Sequence, residues 1–197
     1  MQAPDPSTVR RNRRKLVMLL VLFLIPPVGA WLTWQYLGSH GVGSTTNTGT
    51  LIQPARALDT SGVLADAGVR GRWTYVMFAP SDCDAQCMDQ LYITRQARLA
   101  MNKDIPRVER LLILGSAPGP ALAEHLEKEH EDLHWLVPGE GGSAFRAAFR
   151  GEGFAPDGSR FFLVDPLGNL MMFYADTGAA KGIIRDLQKL LKISQVG

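Results

Sequence analysis

Residues 72–87 read RWTYVMFAPSDCDAQC, and this stretch decides the fold. Its first half, 72–79, is an unbroken run of aromatic, β-branched and other apolar residues behind one arginine, the composition of a buried strand. Pro80, Ser81 and Asp82 interrupt it. Ser81 or Asp82 can cap a helix that begins near Cys83 and lasts to about Met101, with Met88, Leu91, Tyr92 and Leu99 expected toward the core. A buried strand that hands directly to a helix is the building unit of an α/β fold.

The same alternation continues downstream. Residues 108–115 (VERLLILG) read as the next strand, and 120–130 as a helix capped by Ser116 or entered through Pro118 and Pro120. Residues 133–137 (LHWLV) form a short strand, and 143–150 a short helix before the turn GEG. Residues 160–164 and 170–174 flank Asp165-Pro166-Leu167-Gly168. Asp first, Pro second and Gly fourth is the type I turn pattern, so these strands pair as a hairpin. Thr177 can cap a last helix, in which Ala180, Ile183, Ile184, Leu187, Leu190 and Leu191 fall on one stripe. The order β-α-β-α-β, then a hairpin, then α, predicts an α/β sandwich with helices packed on a central sheet.

Upstream the character changes. Arg10, Arg11, Arg13, Arg14 and Lys15 stand against Asp5 alone, while the whole chain carries a net charge of only +2. Everything after Lys15 is therefore slightly acidic, which excludes an electrostatic footprint for nucleic acid. Residues 16–37 contain no charge and, at 22 residues, match the ~30 Å hydrocarbon core as a helix. Pro26 and Pro27 are tolerated better in a membrane helix than in a soluble one. Trp31, Trp34 and Tyr36 sit where aromatic rings favour the lipid–water interface. The next cation is Arg56, so the basic side stays in the cytoplasm and the bulk of the chain lies beyond the membrane. Val28-Gly29-Ala30 would also serve as a signal-peptide cleavage site, and either route exports the rest. The expected organisation is a basic tail at 1–15, a transmembrane helix at 16–37, a small polar tether at 38–50 and a folded domain at 51–197.

The chain has two cysteines, Cys83 and Cys87, at the strand–helix junction. Four residues apart in a helix, their Cα atoms would lie ~6 Å from each other, within disulfide range. A purely structural bridge closing so short a loop removes little unfolded-state entropy. Two unpaired core cysteines are the other plain reading. The chemical one has physical support. A helix N-terminus favours the thiolate, and two adjacent sulfurs can exchange a disulfide or grip Cu(I). An oxidising compartment permits both.

RWTYVMFAPSDCDAQC, with the later FFLVDPLGNL at 161–170 and GIIRDLQKLL at 182–191, resembles the Sco/SenC family. The resemblance covers roughly 51–193 in element order, with close motif agreement confined to those three segments. It implies a thioredoxin-like sandwich, a central mixed sheet flanked by helices, anchored in the bacterial inner membrane with its N-terminus cytoplasmic and its domain in the periplasm. It implies a role in assembling the copper centre of cytochrome c oxidase, with the oxidase copper-site subunit as protein partner. Cys83 and Cys87 would cycle between thiol and disulfide and bind copper as Cu(I). The family usually places Pro after each cysteine and Asp between them; here those slots hold Asp84, Met88 and Ala85. Its third copper ligand is a histidine, and counting back from Val164-Asp165-Pro166 that slot holds Asp157, a hard donor ill suited to Cu(I). Candidate third ligands are then His134, Asp157 and Met88. Periplasmic thioredoxins of the TlpA or ResA type have C-x-x-C and a proline where this chain has Ser159, and resemble it less. General exported thiol–disulfide exchange on other thiol proteins, or a non-catalytic interaction domain, are the alternatives.

Other candidates fall to plainer explanations. His125 and His130, among Glu124, Glu127, Glu129, Glu131 and Asp132, are expected on the solvated face and end of a helix. His134 is expected to pack within its strand, and Arg95 and Arg98 to lie at the surface. One of Met171 and Met172 must point inward. The glycines around 139–142 and 151–153 are turn material.

Overall fold

The computed structural model describes residues 6–40, 46–139, 142–175 and 177–194. Residues 41–45 of the expected tether, and Glu140 and Gly141 of the Gly-rich turn, lie outside the described residues. The chain divides into two compact units, Met1–Thr46 and Asn47–Gly197. The first contains one helix, α1 (Pro6–His40), with Pro26 and Pro27 inside it. Its segment Asn12–Tyr36 has a mean hydropathy of 2.3 and is long and apolar enough to cross a membrane.

The second unit holds β1 (Thr50–Ala57), α2 (Val63–Asp66), β2 (Trp73–Ala79), α3 (Ala85–Leu99), a 3-10 helix (Asn102–Arg107) and β3 (Val108–Leu114). There follow α4 (Pro120–Glu129), β4 (Leu133–Leu136), α5 (Gly142–Ala148), β5 (Phe161–Val164), β6 (Asn169–Tyr174) and α6 (Ala180–Ile193). The six strands form one sheet in the order β1-β6-β5-β2-β3-β4. β2, β3 and β4 run parallel, whereas β5 is antiparallel to β2 and to β6, and β6 is antiparallel to β1. This is the mixed, helix-flanked sheet of the thioredoxin-like fold.

Strand alternation divides the core between the two faces of the sheet. Trp73, Tyr75, Met77 and Ala79 point to one face, with Leu91 of α3, Leu126 of α4, and Ile183, Leu187 and Leu191 of α6. Val76 and Phe78 point to the other, with Leu64 of α2 and Phe145 of α5. Both faces are covered, which is why β2 and β3 are buried along their full length. In the β5–β6 turn, Asp165 Oδ1 accepts from the N–H groups of Leu167 and Asn169. Gly168 closes the turn at φ +87°, a left-handed conformation that favours glycine.

Several local expectations are corrected by packing. Tyr92 and Leu99 are exposed, at 64% and 47%; the inward side of α3 is Cys87, Gln90, Leu91, Ile93, Thr94 and Ala97. Thr94 takes an inward position because β3 sends a buried arginine into the same layer, whereas Gln90 serves the loop that precedes β5. Arg110 donates to Thr94 Oγ1 (3.1 Å), the Leu91 carbonyl (2.6 Å) and Asp132 (3.2 and 3.3 Å). Nδ1 of His130 lies 3.5 Å from the same guanidinium. His130 is therefore not on a solvated helix end but buried at the C-cap of α4. Arg98 is likewise half-buried, donating to the Val108 carbonyl at 2.7 Å. α6 begins after Ala179 with no side-chain cap, so Thr177 does not take that role. Gln53-Pro54 is a cis peptide within β1, a strand whose apolar signal a proline interrupts.

Candidate redox site

Three loops meet at the carboxyl end of β2. One is the continuation of β2 itself, 80–84. The second follows parallel β3, and it is held down by Gly115 N–H, which donates to the Ala79 carbonyl at 2.9 Å. The third precedes β5, which runs antiparallel to β2 with Phe161 opposite Met77. Gly158 in this third loop has φ +90°, and a Cβ there would stand 3.2 Å from the Phe78 carbonyl oxygen. Glycine is needed for the loop to lie that close to β2.

Cys83 and Cys87 form a disulfide in the first of these loops, with Cα atoms 5.2 Å apart. The helix does not start near Cys83, nor do Ser81 or Asp82 cap it. Asp84 is the N-cap, its Oδ1 accepting from Cys87 N–H at 2.8 Å, and α3 begins at Ala85. Cys83 thus precedes the helix while Cys87 lies in its first turn. The extended backbone of Asp84 between them brings the two sulfurs together. The cysteines are unequal: Cys83 is half-buried, whereas Cys87 is 5% exposed and packed in the core layer beneath α3. Only Cys83 is open to a large reaction partner.

Two glutamines absent from the sequence expectations hold the site together. Gln90 Nε2 donates to the Gly158 carbonyl at 2.7 Å and Gln86 Nε2 to the Ser159 carbonyl at 3.1 Å. They stand four residues apart on one face of α3, directly beside Cys87. That spacing was the available sequence signal, but nothing local indicates which carbonyls they reach. Their effect is to tie the 157–160 loop to the first turns of the helix that carries the disulfide.

The candidate third ligands are placed as follows. Asp157 lies in the tied loop, and its Oδ1 accepts from Ser159 N–H (2.9 Å) and Ser159 Oγ (2.6 Å). Those hydrogen bonds, the side-chain one first, hold its carboxyl below the usual range. Met88 is half-buried beside Cys87, against the same core layer. His134 is not packed in its strand's interior but half-exposed, with Nε2 3.4 Å from Glu109 Oε2. It pairs in register with Leu111, which belongs to the layer across the sheet from the cysteines. Of the three, Met88 packs on the same core layer as the cysteines, Asp157 is engaged with Ser159, and His134 lies on the other face. Among the described residues, no three His, Cys, Asp or Glu side chains are grouped to hold a metal ion.

No curated protein matches this chain in sequence. Among solved structures, it is similar to yeast Sco1, with 19% identity, a TM-score of 0.53, and 73% of this chain and 96% of that one covered. Yeast Sco1 with copper bound is similar at 16% identity and a TM-score of 0.51, over 75% and 90% of the two chains. A thiol:disulfide interchange protein from Bacteroides sp. aligns at 13% identity and a TM-score of 0.47, over 77% and 95%. The likeness to the yeast proteins is one of fold. The family described as transmembrane-like, thioredoxin-like, C-terminal domain matches residues 73–194, and this chain belongs to it.

Proposed function

We propose that the chain is a membrane-anchored, Sco-like thiol–disulfide exchange protein, with its N-terminus in the cytoplasm and its thioredoxin-like domain exported to the periplasm. One observation carries this: a Cys83–Cys87 disulfide at the head of a helix, with one sulfur reachable and the other buried. In the reducing direction, the Cys83 thiolate attacks a partner's disulfide, forming a mixed disulfide and expelling one partner thiolate. The Cys87 thiolate then attacks Cys83 Sγ, closing the intramolecular bond and releasing the second partner thiolate. Two electrons pass from the pair to the partner. The cysteines of the copper-site subunit of cytochrome c oxidase are the partner that the Sco likeness suggests; other exported thiol proteins are the alternative.

Copper enters as cargo rather than as resident cofactor. The reduced pair offers Cu(I) two soft sulfurs, and yeast Sco1 is known with copper bound. The donor set here fits a third ligand poorly. Asp157 is a hard oxygen donor already bonded to Ser159, and His134 faces Glu109. Of these candidates, Met88 is the one with a soft donor atom, and it packs against the same layer as the pair. This favours the exchange role over copper delivery.

The test is a redox titration of the full chain in dithiothreitol buffers, read by alkylation of free thiols. A reversible two-electron couple is expected, lost in Cys83→Ser. Cys87→Ser should accumulate a mixed disulfide through Cys83 with a disulfide-bearing peptide. If the reduced Cys83 thiol resists alkylation in the folded protein, the proposal fails. Titration of the reduced chain with Cu(I) separates the two roles: copper bound tightly by wild type and lost in Met88→Ala would restore the delivery role.

A further inference from the structure

α3 carries the disulfide at its head and two large apolar side chains on its outer surface. Its core side runs through Cys87, Leu91, Thr94 and Ala97, so Tyr92 and Leu99 stand in solvent, 64% and 47% exposed. One such residue alone needs no explanation. These two are aligned with the site. At 100° per residue, Ala85, Met88, Tyr92 and Leu99 fall within an arc of roughly 60°, on a seam ~21 Å long. Ala85 is exposed and Met88 half-buried, and the two bracket Cys87 in the chain. An aligned apolar seam in solvent marks an interaction surface, and tyrosine and methionine are side chains that such surfaces favour.

The charge around the seam is one-sided. From Trp73 to Thr94 the chain holds Asp82, Asp84 and Asp89 and no lysine, arginine or histidine. All three acids are exposed. The loop after β3, 115–119, is uncharged, and the loop before β5 adds the exposed Asp157. None of these four acids forms an ion pair among the described residues. The cation of the last loop, Arg160, is half-buried and turned elsewhere. It donates to Ser159 Oγ at 3.0 Å, and its guanidinium lies over the ring of Phe173, in the opposite core layer. The reachable sulfur of Cys83 therefore opens onto a surface that is negative and, along α3, apolar.

We propose that the outer face of α3, with the acids flanking Cys83, is the docking surface for the disulfide-bearing partner. The partner's disulfide then lies in a segment rich in lysine or arginine, with aliphatic or aromatic residues beside them. This rests on the exchange reading, which requires a partner to seat its disulfide on Cys83. Continuity makes the seam part of that contact: Met88 follows the buried sulfur directly and Tyr92 stands one helical turn further. Charge complementarity selects the cations, because opposite charge steers the encounter and fixes its register.

The reduced full chain, in neutral detergent, is mixed with peptides bearing one internal disulfide. The disulfide is flanked by lysine and leucine, by glutamate and leucine, or by lysine and glycine. Each rate is expressed relative to that of hydroxyethyl disulfide, which is small and uncharged. At low salt the lysine–leucine peptide should react about tenfold faster than the glutamate–leucine one, and several-fold faster than the lysine–glycine one. Asp89→Lys should shrink the first ratio, as should about 1 M salt. Tyr92→Ser/Leu99→Ser, at two exposed positions, should bring the second ratio to parity. Equal relative rates for the three peptides, or ratios that the variants leave unmoved, overturn the docking surface while the exchange reading stands. If hydroxyethyl disulfide itself is not reduced, the exchange reading falls and the docking surface with it. Wild-type dimers in sedimentation that Tyr92→Ser/Leu99→Ser abolishes, with peptide ratios unmoved, overturn the proposal by assigning the seam to a second copy of the chain.

Discussion

Asp84 occupies a slot where the resembling family has proline, and its role is local and physical. Its side chain satisfies Cys87 N–H at 2.8 Å, one of the donors a helix start leaves open. Asp84→Ala should destabilise the domain by about 1 kcal/mol, a fall of a few degrees in melting temperature for a domain of this size. Asp84→Asn, which keeps the acceptor, should recover most of it. His130 offers a second test at this scale. Burial, and next the Arg110 charge, hold its pKa down to about 4 from an ordinary 6.5; His125 and Arg95 act the same way and Asp132 opposes them. The unfolded chain then binds a proton that the folded one refuses, so this residue's contribution to stability is present above pH 6.5 and lost as pH falls toward 4. Urea melts at pH 7 and pH 5 should show a smaller acid loss in His130→Gln than in wild type. An equal loss would assign the acid sensitivity to carboxylates instead.

At the scale of elements, the seam between α3 and β3 depends on a charge inside the core. Arg110 is fully buried, and burial depresses its pKa to about 10 despite the neighbouring Asp132. Asp132 is its one charged partner within bonding distance among the described residues, and Asp132 also reaches Arg98 at 3.4 Å. Asp132→Ala would leave a buried guanidinium without its counterion. Full burial of both partners puts such a loss at roughly 3–5 kcal/mol; with Asp132 23% exposed, the expected loss is about 2–3 kcal/mol, measurable as a lower urea midpoint at unchanged slope. Arg110→Met should cost less than Asp132→Ala, because it removes the charge along with its need for a partner. The strands and α6 were readable in advance because their apolar residues repeat at periods of 2 and 3.6. The inward face of α3 was readable only in part: Leu91 and Met88 turn to the core as expected, but Gln90 and Thr94 are buried for the sake of partners on other elements.

Across the whole molecule, the disulfide is poorly placed to be structural. A loop of about five residues removes on the order of 2 kcal/mol of unfolded-state entropy, against ~3 for fifteen. Reduction should therefore lower the domain's stability by no more than about 2 kcal/mol and leave its far-ultraviolet circular dichroism unchanged. Global unfolding on reduction would instead make the bridge a structural staple. The sheet explains the expected tolerance: β2 is held by β3 on one side and β5 on the other, independently of either sulfur.

The chain by itself determined the α/β order, the apolar N-terminal helix and the position of the cysteine pair at the end of a buried strand. Each is written in local periodicity, in charge-free length, or in adjacency along the chain. Tertiary structure alone decided that Cys83 faces outward while Cys87 is buried, that Gln86 and Gln90 grip the 157–160 loop, and that His134 lies across the sheet. It also decided that Arg110 and His130 share the core. Those are contacts between residues far apart in sequence, made by strand register and crossover, and no short-range pattern encodes them.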